Sequence, residues 1–209
     1  VQPGLGKVFA CADDIGAAFS SILHLVPLAK LFNLFRKVTG LTLKPSKCVM
    51  ILTSIACTDQ NIGLIRNWLH NNIPEWEDMT ISDCGKYLGF FIGPAAGAHN
   101  WLAPIARFRQ RVREVHVAGL PARVSAIEYN TKCIPTLLYV AQLCPPPPNL
   151  KKAELGAIHK VLHLPPQSWS YNMTLNIAPV IGFNIRSALL SMRASMIRFT
   201  FKAYPNAVT

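Results

Sequence analysis

The chain has 209 residues, 51% of them hydrophobic, enough to bury a core in one large or two small domains, which excludes a disordered chain. Its longest apolar stretch, 22–35, is broken by His24, Pro27, Lys30 and Asn33, short of the ~20 uninterrupted residues a membrane span needs, which excludes a transmembrane helix. The formal charge of +11 is unevenly placed: residues 1–99 hold 8 Lys and Arg against 7 Asp and Glu, residues 100–209 hold 13 against 3, and the second half therefore suits a polyanion such as nucleic acid.

In chain order, Val1-Gln2-Pro3-Gly4 has neither an initiator Met nor the basic-then-apolar order of a signal peptide, and reads as the start of an internal fragment. Residues 7–12 are short and mostly apolar, Asp13-Asp14 interrupts them, and residues 15–19 resume the pattern, which predicts a hairpin with the aspartates at or beside its turn. Ser20 or Ser21 caps a helix running to about Thr39, with apolar positions Leu25, Leu28, Leu31, Phe32, Phe35 and Val38 at helical spacing. Arg36 and Lys37 suit the dipole of its last turn, and Gly40 stops it. A strand is expected at about 46–52. Thr58 or Asp59 then caps a second helix with Ile62, Ile65, Trp68 and Leu69 inward, ending near Asn71-Asn72. Residues 86–93 read as a strand, turned sharply at Gly93-Pro94. The order predicts an α+β layout, an antiparallel sheet with helices on one face.

From Asn100 onward the pattern is helical. Leu102, Ile105, Phe108, Val112 and Val115 form a stripe, with Arg107 and Arg111 on one flank and Arg109 and Arg113 on the other. A further helix covers 121–129 and beyond, interrupted at Pro135. The prolines at 145–148 form a stiff spacer, and helical segments at about 150–162 and 185–202 close the chain. The six cysteines (Cys11, Cys48, Cys57, Cys84, Cys133, Cys144) show no paired spacing and read as reduced, mostly buried thiols of an intracellular protein. His159 and His163 stand four apart, a spacing that can clamp a metal, but lack a third ligand and read as surface histidines.

Two adjacent carboxylates among apolar neighbours need either an exposed turn or a cation, because an isolated buried carboxylate is costly. Ala12-Asp13-Asp14, then Gly40-Leu41-Thr42-Leu43-Lys44-Pro45-Ser46-Lys47, then Lys86-Tyr87-Leu88-Gly89 stand in an order that resembles the reverse transcriptase domain of non-LTR (LINE-like) retrotransposons. The first block is similar to that family's polymerase motif C, the second to its motif D, and the third to the opening of its primer-grip hairpin. Trp101, Tyr129-Asn130, Pro135 and Leu137-Leu138-Tyr139-Val140 resemble its thumb, and residues 179–185 the segment that follows.

The resemblance implies a partial polymerase palm at 1–99, a helical thumb at 100–144 and a Pro-linked helical extension at 145–209. It implies RNA-directed DNA synthesis from deoxynucleoside triphosphates by two-metal catalysis, with Mg2+ held by Asp13 and Asp14 and Lys47 as a charge or proton partner of the leaving pyrophosphate. Tyr87, Leu88 and Gly89 would meet the DNA primer, and Arg107, Arg109, Arg111, Arg113 and Arg123 the phosphates of an RNA–DNA duplex on the RNA template. The family's motif A aspartate, motif B and fingers would belong to the N-terminal part of the parent polyprotein, so the isolated chain is expected to lack turnover. The implied setting is nuclear and cytoplasmic, neither secreted nor membrane-embedded. Two departures stand out: Cys11 replaces an aromatic ring that would pack near the primer terminus, and Lys44 replaces the usual motif D Asn. The alternatives are a catalytically dead remnant acting at most as a basic nucleic-acid-binding module, and an unrelated basic α+β binding module.

Overall fold

The computed structural model describes residues 6–11 and 14–203, and its contacts divide the chain into two compact units, 1–96 and 97–209. In the first unit, β1 (Gly6–Cys11) pairs antiparallel with β2 (Asp14–Phe19), with Gly6 opposite Phe19 and Cys11 opposite Asp14. Ser21 then caps one 3-10 turn, its hydroxyl accepting from the Leu23 amide, and α1 (Leu25–Thr39) ends where Gly40 takes a left-handed φ of 73°. The expected single stripe of α1 divides. Leu25, Leu28 and Phe32 pack on the core with Ala29 buried, whereas Leu31, Phe35 and Val38 stay exposed, Val38 by 79%. Those three positions drift round the helix beyond the arc that the core covers.

Pro45–Lys47 forms a 3-10 turn, and the following strand is shorter than expected: β3 (Val49–Ile51). Thr58 caps α2 (Asp59–Asn72) through its hydroxyl, which accepts from the Asn61 amide, and Ile65 and Leu69 are buried. β4 (Thr80–Ser82) returns parallel to β3, with Met50 opposite Ile81. This pair departs from the expected antiparallel sheet, while β1 and β2 keep to it. A helix between two strands carries the chain back to the end from which it started, so the second strand runs in the same direction as the first. β5 (Gly85–Tyr87) and β6 (Phe90–Ile92) form a third two-stranded sheet, so the run 86–93 is a hairpin rather than one strand. Its two-residue loop, Leu88-Gly89, has φ of 47° and 86°, the signs of a type I′ turn. The core of this unit is Leu52, Ile65, Leu69, Ile73, Met79 and Ile81, with Trp76 edge-on to Phe32 at 6.0 Å.

The second unit opens with α3 (Ala96–Val117). Phe108, Val112 and Val115 are buried as expected and Ile105 packs against them, but Trp101 takes the position assigned to Leu102, which is 64% exposed. The spacing 101, 105, 108, 112, 115 alternates fours and threes, and Leu102 lies one step off it. The Trp101 indole donates to the Pro145 carbonyl at 3.0 Å. α4 (Ala122–Glu128) runs into a π-helical turn over Tyr129–Cys133, and α5 (Pro135–Leu138) follows. Pro135 lacks an amide hydrogen and its ring crowds the carbonyl four residues back, and the Ile134 amide reaches the Tyr129 carbonyl at 3.1 Å instead.

α6 (Leu150–Val161), α7 (Tyr171–Asn176), α8 (Ala178–Ile181) and α9 (Ala188–Ala203) complete the unit. Residues 100–144 and 145–209, read separately in the sequence, share one core: Tyr129, Cys133 and Leu137 lie with Ile158, Val161 and Met192. The two units are α+β and helical respectively, and among the described residues no helix is long and apolar enough to cross a membrane.

Candidate functional site

Asp14 begins β2 directly across from Cys11, with its carboxylate exposed. Asp13, its expected companion, lies outside the described residues. Val8, Phe9 and Ile15 on the same hairpin are also exposed, so the apolar residues flanking the aspartates do not wrap Asp14 in a dry pocket.

The β5–β6 hairpin meets this one. Tyr87, half-buried, lies so close to Gly16 of β2 that a Cβ built there would stand 3.0 Å from the ring. Gly16 is therefore what lets the aromatic ring approach the strand two residues beyond Asp14. Gly85, two residues before Tyr87 on the same face of β5, meets β3: a Cβ there would come 3.1 Å from the side chains of Val49 and Ile51. At the far end of β6, Gly93 has a φ of 126°, and a Cβ there would stand 2.2 Å from the Asp83 carbonyl, so only glycine fits. Lys47 sits in the 3-10 turn two residues before β3, exposed, with its amide donating to the Lys44 carbonyl at 3.0 Å. Within the first unit, contacts thus run from β2, the strand that Asp14 begins, to Tyr87 of β5, and from Gly85 to β3, which starts two residues after Lys47.

The cysteines correct the expectation of mostly buried thiols. All six are free, but only Cys133 is fully buried; Cys11 is exposed and the other four are intermediate. Burial pushes the Cys133 thiol up to about 12, and raises those of Cys48 and Cys144 in the same direction. Of the two histidines expected at the surface, His163 is exposed and His159 is not. His159 is buried, and His163 lies past the end of α6 with φ 54°, stacked on His116 with ring centroids 4.7 Å apart. Among the described residues, no group of three or more His, Cys, Asp or Glu is placed to hold a metal.

In the second unit Arg107, Arg109, Arg111 and Arg113 lie exposed along α3, and Arg123 lies exposed on α4. They are not equivalent. Arg111 pairs with Glu114 at 2.9 Å, whereas Arg109 and Arg113 border a groove against α6. Asn130 bonds in both directions, since its side-chain amide donates to the Asn184 carbonyl at 2.8 Å while its oxygen accepts from the Arg186 amide at 2.8 Å. This one side chain fastens the segment leading into α9. No protein-family model, curated protein or solved structure matches the chain.

Sequence reasoning missed a buried carboxylate. Glu154 on α6 accepts from the amides of Ala188 and Leu189, at 2.5 and 3.0 Å, and from the Tyr171 hydroxyl at 3.1 Å. Ser187 completes the arrangement by accepting from the Leu190 amide at 3.1 Å. A carboxylate on the first amides of α9 meets the positive end of the helix dipole, which offsets its burial. The signal was present: Glu154 falls on the apolar stripe Leu150, Ala157, Ile158 and Val161 of its helix.

Proposed function

We propose that this chain is a palm and thumb portion of a retroelement RNA-directed DNA polymerase whose complete parent extends a DNA primer on an RNA template. The observation that supports the reading is the close approach of Tyr87, in the Lys86-Tyr87-Leu88-Gly89 block, to Gly16 on the strand that Asp14 begins. In a polymerase, such an arrangement sets the carboxylates beside the element that holds the growing end.

Asp13 and Asp14 are hard oxygen donors of the kind magnesium takes, and Asp14 is exposed, so in this reading the two would supply part of a magnesium site. The remaining carboxylate in this reading comes from the N-terminal part of the parent. Bound magnesium supplies charge neutralisation at the primer 3′ hydroxyl and the leaving pyrophosphate. Tyr87, Leu88 and Gly89 position the primer backbone. Lys47, an exposed ammonium on a short turn, approaches the pyrophosphate as a point charge or proton donor. The basic helices of the second unit hold duplex phosphates without reading sequence.

The test is primer extension on an RNA template by the 209-residue chain and by an extended form that restores the upstream motifs. The expected outcome is magnesium-dependent synthesis by the extended form only, reduced on the order of a hundredfold or more by Asp13→Asn or Asp14→Asn. Robust synthesis by the short chain, or no effect of either substitution, refutes the reading. The alternative of an inactive remnant is favoured by one observation, the exposed Cys11 where the resembled family carries an aromatic ring. A Cys11→Tyr change that awakens synthesis in an otherwise silent extended form would identify that case.

A further inference from the structure

Within the second unit, α3 and the 147–160 segment enclose an open groove of about 520 Å³, within the size range of ligand sites. Its floor is apolar, built from Phe108 and Val112 of α3 and Leu150 of α6. Pro147 and Pro148 give it a stiff end wall. Arg109 and Arg113 border it on α3 and Lys160 on α6, and among the described residues no acidic side chain lines it. None of these three cations has an ion-pair partner among the described residues, whereas neighbouring Arg111 is paired with Glu114 and Lys132 with Glu128. An apolar trough with an unneutralised cationic rim is complementary to a ligand that is both acidic and apolar.

We propose that this groove docks an acidic, apolar segment of a partner protein in extended form. Arg109 and Arg113 are four residues apart on a helix, ~6 Å along its axis. Carboxylates at alternate positions of an extended segment are spaced ~6.8 Å apart and match that pair, while the intervening side chain points the other way, into the trough. The walls argue against a nucleic acid strand. Stacking needs an accessible ring, and Phe108 is only 3% exposed, engaged edge-on with Tyr129 at 6.1 Å. A lone phosphate would have no use for the apolar floor. This docking surface goes beyond the polymerase reading and does not depend on it, and it separates Arg109 and Arg113 from Arg107 and Arg123, which do not line the groove.

The experiment is selection of a randomised twelve-residue peptide display library on the full 209-residue chain, followed by fluorescence polarisation with the enriched peptides. Enrichment of sequences alternating Asp or Glu with Leu, Ile or Phe is expected. Their affinity should fall at least tenfold with the double variant Arg109→Glu, Arg113→Glu. It should fall similarly with Ala153→Trp, which fills the trough from an exposed position without changing charge. Thermal melting of both variants establishes that they remain folded. Enrichment without acids, binding that survives Ala153→Trp, or displacement of the peptide by a twelve-nucleotide oligothymidylate at equal concentration would overturn the proposal; the last would assign the groove to nucleic acid.

Discussion

At the residue scale, the second unit concentrates its chemistry around a few side chains that could not be replaced by isosteres without leaving groups unpaired. Glu154 and Ser187 between them satisfy three amides at the start of α9, and Asn130 satisfies one carbonyl and one amide just before it. Each side chain stands in for a missing secondary-structure partner, which is why none can be exchanged for an apolar residue without orphaning backbone groups. Cys133 and Tyr129 have the opposite character. Both are fully buried acids that stay neutral, the thiol pushed up to about 12 and the phenol raised well above its ordinary range by burial and by the nearby Glu154 charge. In the unfolded chain the thiol ionises near pH 9 while the native thiol stays protonated, so the native state holds more protons across that interval. Stability is therefore full below about pH 9 and falls as pH rises toward 12, with Cys133 alone responsible for up to about 4 kcal/mol. Urea midpoints measured at pH 8 and pH 11 should show a smaller fall for Cys133→Val than for the parent chain. Equal falls would place the titration elsewhere.

At the scale of elements, the loop of the β5–β6 hairpin shows local strain beside the candidate site. Leu88 holds φ at 47°, a region that Asn, Asp and Gly enter readily and that costs a leucine about 1 kcal/mol or more. The residue is 40% exposed, so the burial of the rest of its surface works against that cost. Leu88→Asn is expected to raise stability by about 0.5–1 kcal/mol, read as a melting temperature a few degrees higher. If Leu88 also contacts the primer, the same change should lower primer extension in the extended form. A loss of stability would show that packing of the leucine outweighs the turn preference.

Elements governed by neighbouring residues were legible in the sequence. Ser21, Thr58 and Gly40 mark helix ends through hydrogen bonds or φ values local to themselves, and all three do so in the structure. The parallel pairing of β3 with β4 was not legible, because three-residue strands carry too little pattern, and their pairing is decided by α2 between them. The division of α1 into a packed and an exposed half was hidden for a different reason: the helix carries more apolar surface than the neighbouring core covers. At the candidate site, the hairpin bearing Asp14 could be read from two short apolar runs broken by the aspartates, whereas the Tyr87 contact with Gly16 joins residues 71 positions apart and leaves no local mark.

At the scale of the whole molecule, charge divides as the fold does. Residues 100–209 carry 13 basic against 3 acidic residues, and two of those acids, Glu114 and Glu128, each pair with a cation of their own helical segment, while Glu154 is buried. Almost all the remaining positive charge is thus exposed and unneutralised, and its effect on a duplex is governed by counterion release. If Arg107 and Arg123 contact phosphates, the logarithm of affinity for an RNA–DNA duplex should fall linearly with the logarithm of salt concentration, and Arg107→Ser or Arg123→Ser should each reduce the magnitude of the slope by about 1. Arg111→Ser should reduce it by less, because Glu114 already neutralises that guanidinium and is left behind as a repelling charge. Filter binding or polarisation at several salt concentrations measures this directly. Three variants with the parent slope would mean that the charge of this unit serves another acidic partner, and the groove bordered by Arg109, Arg113 and Lys160 is where that partner would be sought first.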